Sequence, residues 1–541
     1  MRKQTKLVAV LSTAALLAIG ASMTSFAATG WAEEDGTWVY YDRNGDRVTD
    51  KWAKSGNNWY YLDSDGEMAI DTLIEDGDNY YYVDINGVMA SNQWVAIENE
   101  DAGEDDEPEH YWYYFQANGK AYKRSDNASS NAINAKVING KKYAFDTDGR
   151  MLYGWVVDGE RQTDDDAWKD ADAYYFGDEN DGAMSIGWRL ISITDDDAES
   201  AEPGDEYWDE DQDRWFWFKS SGEKQTDKTN KKINGKRYGF DEYGRMVASW
   251  YADVDEASLS ETDKASGSQG TKEYSEQFMY FSTPEDGARY TKGWFRVVPG
   301  YYLDAEKYDE DAEKWYYADG DGNIYANTIE KIKGKKYAFD GFGRMLDGLR
   351  VITLDDDGKT IQSSDDFDDE DEFDDYVGIS DNGGSLATNE AIYYFGSSDD
   401  GAMKTGKQTV SLDGESITFK FKTSSTKKGQ GFTEIDDKKL YIGGKLIKAD
   451  KDDKYMIANF ELKDDGSYSY EEVSVKDLIK DEVSEDKDKN YKYTINDDYK
   501  KKSVIMINST GTISTKNGAK NGDDYKFYFK DGVLDYITLE K

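Results

Sequence analysis

The sequence predicts an all-β protein, a solenoid of stacked β-hairpin units of about 20 residues with long acidic loop insertions. Aromatic strand segments recur at a fixed spacing, and each is followed by an Asp-x-Asx-Gly turn. The chain also combines a net charge of −46 with 14% aromatic residues. High charge alone would indicate disorder, in which aromatics are rare. Stacked hairpins resolve this conflict, because they bury aromatics in a narrow column and leave acidic side chains on faces and loops.

The repeat is most regular near the N-terminus. Aromatic segments begin at Trp38, Trp59 and Tyr80, spaced 21 residues apart. Asx-Gly between apolar runs is a strong hairpin indicator. Each unit is therefore predicted to be a β-hairpin made of the aromatic strand, the Asp-x-Asx-Gly turn and a short strand such as residues 67–69.

The sequence also repeats over a longer period, which contains several of the short hairpin units. Segments of the form Lys-x-Tyr-x-Phe-Asp-x-x-Gly-Arg-Met end at Met151, Met246 and Met345. A block of several hairpins is therefore duplicated about three times. A short helix or linker is predicted within Lys476–Lys489. The predicted organisation is a signal peptide (1–28), regular hairpin repeats (29–125), duplicated blocks with acidic insertions (126–406) and a divergent, Lys-rich, β-rich C-terminal region (407–541).

The first residues predict export. Arg2, Lys3 and Lys6 precede an apolar run, Leu7–Ala21, and a small-x-small cleavage site at 25–27, which is the pattern of a signal peptide. The run is short for a membrane span, so no transmembrane segment is expected after cleavage. Because the chain has no Cys, disulfides are not expected to stabilise it.

Composition excludes several kinds of chemistry. Without Cys there is no thiol nucleophile or Cys-bound metal, and His110 is the one His. The negative charge argues against nucleic acid as a partner. An EF-hand-like run from Asp319 to Glu330 has Ile324 where a Gly is needed. No metal, cofactor or catalytic residue is therefore predicted, and the acidic runs are predicted to be solvated loops: Glu98–Glu109, Asp164–Asp172, Asp195–Asp213 and Asp355–Asp375.

Residues 51–69 combine a Trp strand, a Trp-Tyr-Tyr strand and Asp-Gly-x-Met. Gly-Trp precedes comparable units at Trp31, Trp155, Trp188 and Trp294. This pattern resembles the cell-wall-binding (choline-binding) repeat of Gram-positive surface proteins, whose relatives include glucan-binding and clostridial toxin repeats. The resemblance is strong over residues 30–125, recognisable over 126–406 and weak beyond. It implies a hairpin solenoid with quaternary ammonium groups bound between consecutive hairpins.

The resemblance also implies which residues form the cages. The walls would be the Gly-Trp tryptophan, the first aromatic of Trp-Tyr-Tyr, an aromatic of the next hairpin and a Met. The candidates are Trp31, Trp38, Tyr61 and Met68 for the first cage, and Trp52, Trp59, Tyr82 and Met89 for the second. Acidic insertions separate the partners of three further candidate pairs, which leaves open whether they meet: Trp94 with Trp112, Trp188 with Trp215, and Trp294 with Trp315.

Aromatic residues have a second explanation, because stacked hairpins need them simply to pack. The duplicated blocks have Lys or Arg where the first aromatic should be, so their aromatics are predicted to be core: Tyr143, Phe145, Tyr238, Phe240, Tyr337 and Phe339. For the N-terminal Trp residues, packing and ligand binding both stay open. A desolvated cation over Trp faces gains roughly 2 kcal/mol or more, and sugar rings stack on the same faces.

The predicted function is that of a secreted, non-catalytic surface protein held non-covalently at the cell wall. Its partner would be choline-bearing teichoic acid or a similar wall polysaccharide, with an adhesin or scaffold role towards host surface proteins. The alternative is an extracellular glucan- or host-glycan-binding protein. Counting cannot exclude paired carboxylates for glycoside hydrolysis, so an enzyme with its active site in 407–541 is a third possibility.

Overall fold

The computed structural model describes residues 29–103, 107–128, 133–194, 213–252, 270–380, 385–486, 489–499, 502–520 and 525–539. The predicted signal peptide lies outside these residues, as do most of the Asp195–Asp213 insertion and the middle of Glu98–Glu109. The chain divides into two compact units, residues 1–195 with 213–226, and residues 196–212 with 227–541.

The first unit consists of short antiparallel strands, nearly all paired two by two. The pairs are β1–β2, β3–β4, β5–β6, β7–β8, β9–β10 and β14–β15, and β11 lies between β12 and β13. The strands are Gly30–Glu34 (β1), Thr37–Tyr41 (β2), Lys51–Ser55 (β3), Asn58–Leu62 (β4), Thr72–Asp76 (β5), Asn79–Val83 (β6), Gln93–Glu98 (β7), His110–Phe115 (β8), Lys136–Ile138 (β9), Lys141–Tyr143 (β10), Trp155–Val157 (β11), Glu160–Arg161 (β12), Tyr174–Tyr175 (β13), Gly187–Ser192 (β14) and Asp213–Phe218 (β15).

The regular hairpins pair different strands from those that the sequence predicts. The aromatic strand pairs with the strand before it, across a two-residue turn such as Asp35-Gly36, where both residues have positive φ (51° and 88°). Such turns match the twist of the paired strands. The Asp-x-Asx-Gly turn leads instead to a single bridge, Leu62 to Met68. There the Asp63 carboxylate accepts the amides of residues 65 and 67.

One contact recurs between successive hairpins, and it involves the residue two positions after the Gly of each Asp-x-Asx-Gly turn, here called the post-turn residue. The amide of post-turn Met68 donates to the carbonyl of Trp38 at 2.7 Å, and that of Met89 donates to Trp59 at 2.9 Å. The Met68 side chain lies against Gly87 of the following turn, where a Cβ would be 2.8 Å from its Sδ. A turn Gly is therefore required both by its positive φ and by this close approach.

The second unit begins with similar hairpins and ends in wider sheets. Two-stranded pairs β16–β17, β18–β19, β20–β21 and β22–β23 are followed by sheets ordered β25-β24-β26, β27-β28-β31-β30-β29, β33-β32-β36 and β34-β35-β39-β38-β37. Its strands are Lys228–Ile233 (β16), Lys236–Phe240 (β17), Ser249–Ala252 (β18), Phe278–Phe281 (β19), Gly293–Val297 (β20), Lys314–Ala318 (β21), Thr328–Ile332 (β22), Lys335–Phe339 (β23), Leu349–Leu354 (β24), Ile361–Asp366 (β25), Glu390–Tyr394 (β26), Gly406–Leu412 (β27), Glu415–Phe421 (β28), Glu434–Asp436 (β29), Lys439–Ile442 (β30), Lys445–Leu446 (β31), Tyr455–Leu462 (β32), Tyr468–Glu472 (β33), Ile479–Glu485 (β34), Tyr491–Ile495 (β35), Val504–Asn508 (β36), Ala519–Lys520 (β37), Tyr525–Lys530 (β38) and Val533–Leu539 (β39). The all-β hairpin fold is thus confirmed.

In the residues that the structure describes, helices are few and short. They are Lys272–Ser275, Ala305–Asp309, Glu370–Val377 and Val475–Leu478, with a 3-10 helix at Ala167–Lys169. The predicted helix within Lys476–Lys489 is confirmed only as one turn, because a strand begins at Ile479. In the described part of the chain, no helix is long and apolar enough to cross a membrane.

Two acidic insertions are not the solvated loops that the sequence predicts. Asp355–Asp375 contains β25 and most of the Glu370–Val377 helix, and Phe373 in that helix is fully buried. Asp164–Asp172 contains the 3-10 helix, which buries Trp168. In both insertions, single apolar residues among acidic ones reach the core, and burying an aromatic side chain outweighs the charge of its neighbours.

Candidate functional site

The first hairpin carries two Trp side chains on one face. Trp31 lies opposite Tyr40, and Glu33 lies opposite Trp38. Because side chains alternate between faces along a strand, Trp31, Trp38, Tyr40 and Glu33 share a face. Both Trp side chains are half-buried. This face is therefore an aromatic surface that the hairpin itself cannot enclose.

The second hairpin supplies the next wall of this surface through Tyr60. Its ring lies edge-on to Trp31, with 5.2 Å between ring centroids. Tyr61, the sequence-predicted residue, instead contacts Trp52 of its own hairpin at 5.2 Å. The register explains the difference, because Tyr61 lies opposite Trp52 and therefore shares the face of Trp52, which packs towards the third hairpin.

The second cage repeats this geometry with Tyr81 in place of the predicted Tyr82. The ring of Tyr81 is 5.0 Å from that of Trp52. Tyr82 points the other way and stacks on Phe115 at 6.1 Å. Its hydroxyl donates to the Asp71 carboxylate, and burial together with that carboxylate raises the pKa of Tyr82 well above its ordinary value.

The same four-part arrangement recurs further along the described chain. Each set has a strand Trp, a first aromatic on the same face, a ring from the next hairpin and a post-turn Met whose amide donates to the first aromatic's carbonyl. We call each set a cage. The cages are Trp31, Trp38, Tyr60 and Met68; Trp52, Trp59, Tyr81 and Met89; Trp94, Trp112, Tyr143 and Met151; and Trp294, Trp315, Tyr337 and Met345.

The structure also brings together the Trp pairs that insertions separate in sequence. Trp188 and Trp215 lie edge-on with centroids 6.1 Å apart, and the corresponding distance for Trp294 and Trp315 is 6.4 Å. Trp94 and Trp112 share a face, since Trp94 lies opposite Tyr114 and Trp112 lies two residues earlier on that strand.

Sequence reasoning missed six cage residues, namely Tyr60, Tyr81, Tyr143 and Tyr337 and the post-turn residues Met151 and Met345. A signal was present for the first two, because the two-residue turns set the strand register and hence which Tyr faces backwards. The core prediction is confirmed for the buried residues Tyr143, Phe145, Phe240 and Phe339. Tyr143 nevertheless also faces Trp94, at 4.8 Å, so core packing and a cage wall are compatible roles.

The charge beside each cage differs. The residue opposite the first aromatic is Glu33 in the first cage, Lys54 in the second and Arg296 in the last. The Lys54 ammonium lies 5.6 Å from the Trp59 ring centroid, and Trp59 is 39% exposed. Trp52 Nε1 donates to Asp76 at 3.1 Å. The second cage thus already presents an aromatic face to a cation.

The described residues contain no group of three or more His, Cys, Asp or Glu side chains placed to hold a metal ion. The EF-hand-like run begins with an Asp-x-Asx-Gly turn that leads to a single bridge, Ala318 to Ile324, and not with the hairpin turn that its repeat position predicts. The Asp319 carboxylate there accepts the amides of Asp321 and Asn323, at 2.8 and 3.0 Å.

Comparison with known proteins gives one family match. The model of the choline-binding repeat matches residues 28–64 and 48–94. These residues include the first two cages entirely. No curated protein matches the sequence.

Several solved structures from Streptococcus pneumoniae are similar to the chain. The modular autolysin LytC, solved with a synthetic peptidoglycan ligand, is 18% identical, with a TM-score of 0.30 and 61% of this chain covered. The chain spans 56% of the length of LytC. Choline binding protein F is 16% identical (77% of this chain and 98% of that chain, TM-score 0.21), and the choline-binding domain of CbpL is 18% identical (59% and 98%, TM-score 0.18).

These TM-scores are too low for the solved structures to carry an argument about this chain. The family match does not depend on them, and it covers the residues in which the hairpins and cages are most regular. The matched segment, residues 28–94, therefore consists of choline-binding repeats.

Proposed function

We propose that this protein is a non-catalytic cell-surface protein that attaches to choline-bearing wall polymers, such as teichoic acid, through its cages. The observation that carries the proposal is the first cage, Trp31, Trp38, Tyr60 and Met68, within the part matched by the family model. A quaternary ammonium group has no hydrogen-bond donors, so aromatic faces are its natural binding partners.

Two features favour a cation over a sugar ring in these cages. In the second cage, the Lys54 ammonium already lies over Trp59. In the first, the Glu33 carboxylate stands opposite Trp38 and would add electrostatic attraction. The net charge of −46 would also raise the local concentration of cationic groups. Sugar stacking needs neither feature.

Secretion, non-covalent attachment and an adhesin or scaffold role complete the proposal. The predicted signal peptide supports export, and several cages along one chain support attachment by many weak contacts. The acidic loops would then present a charged surface towards host glycans or proteins.

The test is calorimetric titration of the whole protein with choline. We expect saturable binding at millimolar or tighter choline and retention on a choline resin. Trp38→Ala and Trp59→Ala should each remove binding at one cage. The matched control is Tyr491→Ala, because Tyr491 is as exposed as Trp59 (41% against 39%) but belongs to no cage.

The outcomes separate the alternatives. Absence of choline binding by a folded protein would overturn the proposal. Retention on dextran or mucin that free choline does not release would favour the glycan-binding alternative. Equal losses in Trp59→Ala and Tyr491→Ala would show that the cages are not the sites.

A further inference from the structure

A further hairpin has the ring geometry of a cage without its complete residue set. The indole of Trp155 lies between the rings of Tyr175 on its own hairpin and Phe216 on the next, at 5.0 and 5.4 Å. In the first cage, Trp31 lies in the same way between Tyr40 and Tyr60. This further set, here called the Trp155 cage, has a buried Ala173 where the first aromatic would stand.

The post-turn residue of the Trp155 cage is a lysine. Lys224 bridges to Phe218 as Met68 bridges to Leu62, so it stands where the other cages have Met. It is only 2% exposed. Its ammonium lies 5.4 Å from the centroid of Trp155 and 5.9 Å from that of Phe216. A charged group thus occupies the space between the rings.

An acidic insertion completes the surroundings of this ammonium. Lys224 Nζ donates a hydrogen bond to the backbone carbonyl of Trp168, in the 3-10 helix Ala167–Lys169. Trp168 is itself held in place, because its Nε1 donates to the carbonyl of Thr194 at 2.8 Å. A buried ammonium is costly unless its charge and its donors are compensated. Here the ring faces and a carbonyl contribute to that compensation.

We propose that Lys224 is the chain's own ligand for the Trp155 cage, occupying the place of an external ammonium group and closing this cage to choline. The inference rests on the proposed function only in treating the cages as cation sites. Two consequences follow. The number of open sites is smaller than the number of aromatic cages, and hairpin stacking at Trp155 does not depend on a bound ligand.

The test is chemical rescue of Lys224→Ala in the whole protein. This substitution removes the equivalent of an n-propylammonium ion, which can be added back. We expect the melting temperature of the variant to fall, and millimolar n-propylammonium to raise it again while leaving the wild type unchanged. The neutral analogue 1-propanol is the control, because it fills the same space without a charge. Rescue by both compounds, or by neither, would overturn the proposal.

If Lys224→Ala does not fold, the same two compounds are compared for restoring its refolding from urea, with the same criteria. A double-mutant cycle gives an independent readout. Lys224→Met restores the residue type of the other cages, and Trp155→Leu removes the aromatic face. Cation recognition predicts that the two substitutions are strongly coupled in the free energy of unfolding, whereas simple packing predicts that Lys224→Met is neutral or stabilising.

This experiment is distinguishable from that of the proposed function, because it contains no choline. A wild type that binds no choline would overturn the proposed function and leave the rescue result intact. Conversely, choline binding at Trp38 and Trp59 together with failed rescue by n-propylammonium would overturn only the assignment of Lys224.

Discussion

The regular hairpins of residues 30–94 and the C-terminal sheets of residues 406–539 differ in how far they bury their aromatic side chains. In the hairpins each sheet has two strands, Trp31 and Trp52 are half-buried, and Trp59 is exposed. In the C-terminal region sheets have three or five strands, and Phe419 and Phe421 are fully buried. A lone two-stranded hairpin has little core of its own, so the burial of its rings depends on the neighbouring hairpins. The comparison teaches that unfinished burial is what leaves aromatic faces available to a ligand.

The two regions nevertheless share one kind of packing contact, that of a side chain against a turn Gly. In the regular repeats, post-turn Met68 lies against Gly87 of a later turn. In the C-terminal region, Leu446 lies against Gly511, where a Cβ would be 2.8 Å from its Cδ1. Leu446 lies two residues after Gly444, so a side chain that follows a turn again packs against a later Gly, although the turn before Leu446 is not an Asp-x-Asx-Gly turn. That 407–541 is a divergent, Lys-rich, β-rich region stays a prediction.

The largest expected effect distinguishes residues of the C-terminal core from residues of the cages. Phe419→Ala should lower the free energy of unfolding of the C-terminal region by about 3–5 kcal/mol, since it leaves a cavity in a closed core. Choline binding, measured by calorimetry on the folded variant, should be unchanged because no cage residue is altered. A simultaneous loss of choline binding would show that the two regions are not independent in this respect.

Tyr81 and Tyr82 form a matched pair that tests the cage wall. Tyr81→Ala should weaken choline binding at the second cage by roughly 1 kcal/mol, about fivefold, because it removes one aromatic face. Tyr82→Ala should leave the affinity unchanged and lower thermal stability instead, since Tyr82 packs on Phe115. The reverse result in calorimetric titrations would restore the cage predicted from sequence.

The buried carboxyl of Asp146 should make the stability of the duplicated blocks depend on pH. Burial raises the pKa of its carboxyl from 3.8 to about 6, although the Arg150 amide and charge act in the opposite direction. The folded state therefore binds the proton more tightly than the unfolded state. Above pH 6 the buried, ionised carboxylate lowers the free energy of unfolding. As the pH falls from 6 towards 3.8, the carboxyl takes up a proton in the folded state and the free energy of unfolding rises again.

Asp146→Asn should remove this pH-dependent contribution to the free energy of unfolding. Urea unfolding at pH 7 and pH 5 should show the wild type gaining stability relative to the variant at the lower pH. Asp63→Asn, the same turn position in a regular repeat, is the matched control for the change in turn chemistry. Parallel pH dependence of wild type and Asp146→Asn would contradict the assignment.

The smallest expected effect concerns Lys54. Lys54→Ala should tighten choline binding at the second cage by a few-fold at low salt, because it removes a competing cation from Trp59, and the gain should shrink at high salt. Lys51→Ala is the matched control, since Lys51 lies on the same strand but opposite Leu62 on the other face. Equal changes in the two variants would indicate a general charge effect.

Much of the fold was predictable from local pattern, and so were three of the four residues of each N-terminal cage. The 21-residue spacing and the Asx-Gly turns predicted hairpins, and Trp31, Trp38, Trp52 and Trp59 do share faces in pairs. The pairing partner of the aromatic strand was wrong, because turns on both sides of it are plausible hairpin turns. Trp168 and Phe373 were missed, since single apolar residues within acidic runs have no periodicity.

The sequence by itself determined the repeat, the strand alternation and the residue types able to hold a cation, because these depend on neighbours only a few positions apart. Only the tertiary structure decided which face of one hairpin meets which face of the next. It placed Tyr60 rather than Tyr61 at Trp31, and it brought the Lys224 ammonium to the ring of Trp155. Those contacts depend on stacking between hairpins, which the spacing within one hairpin does not set. At Trp31 the stacking includes the backbone hydrogen bond from Met68 to Trp38 and the packing of the Met68 side chain against Gly87.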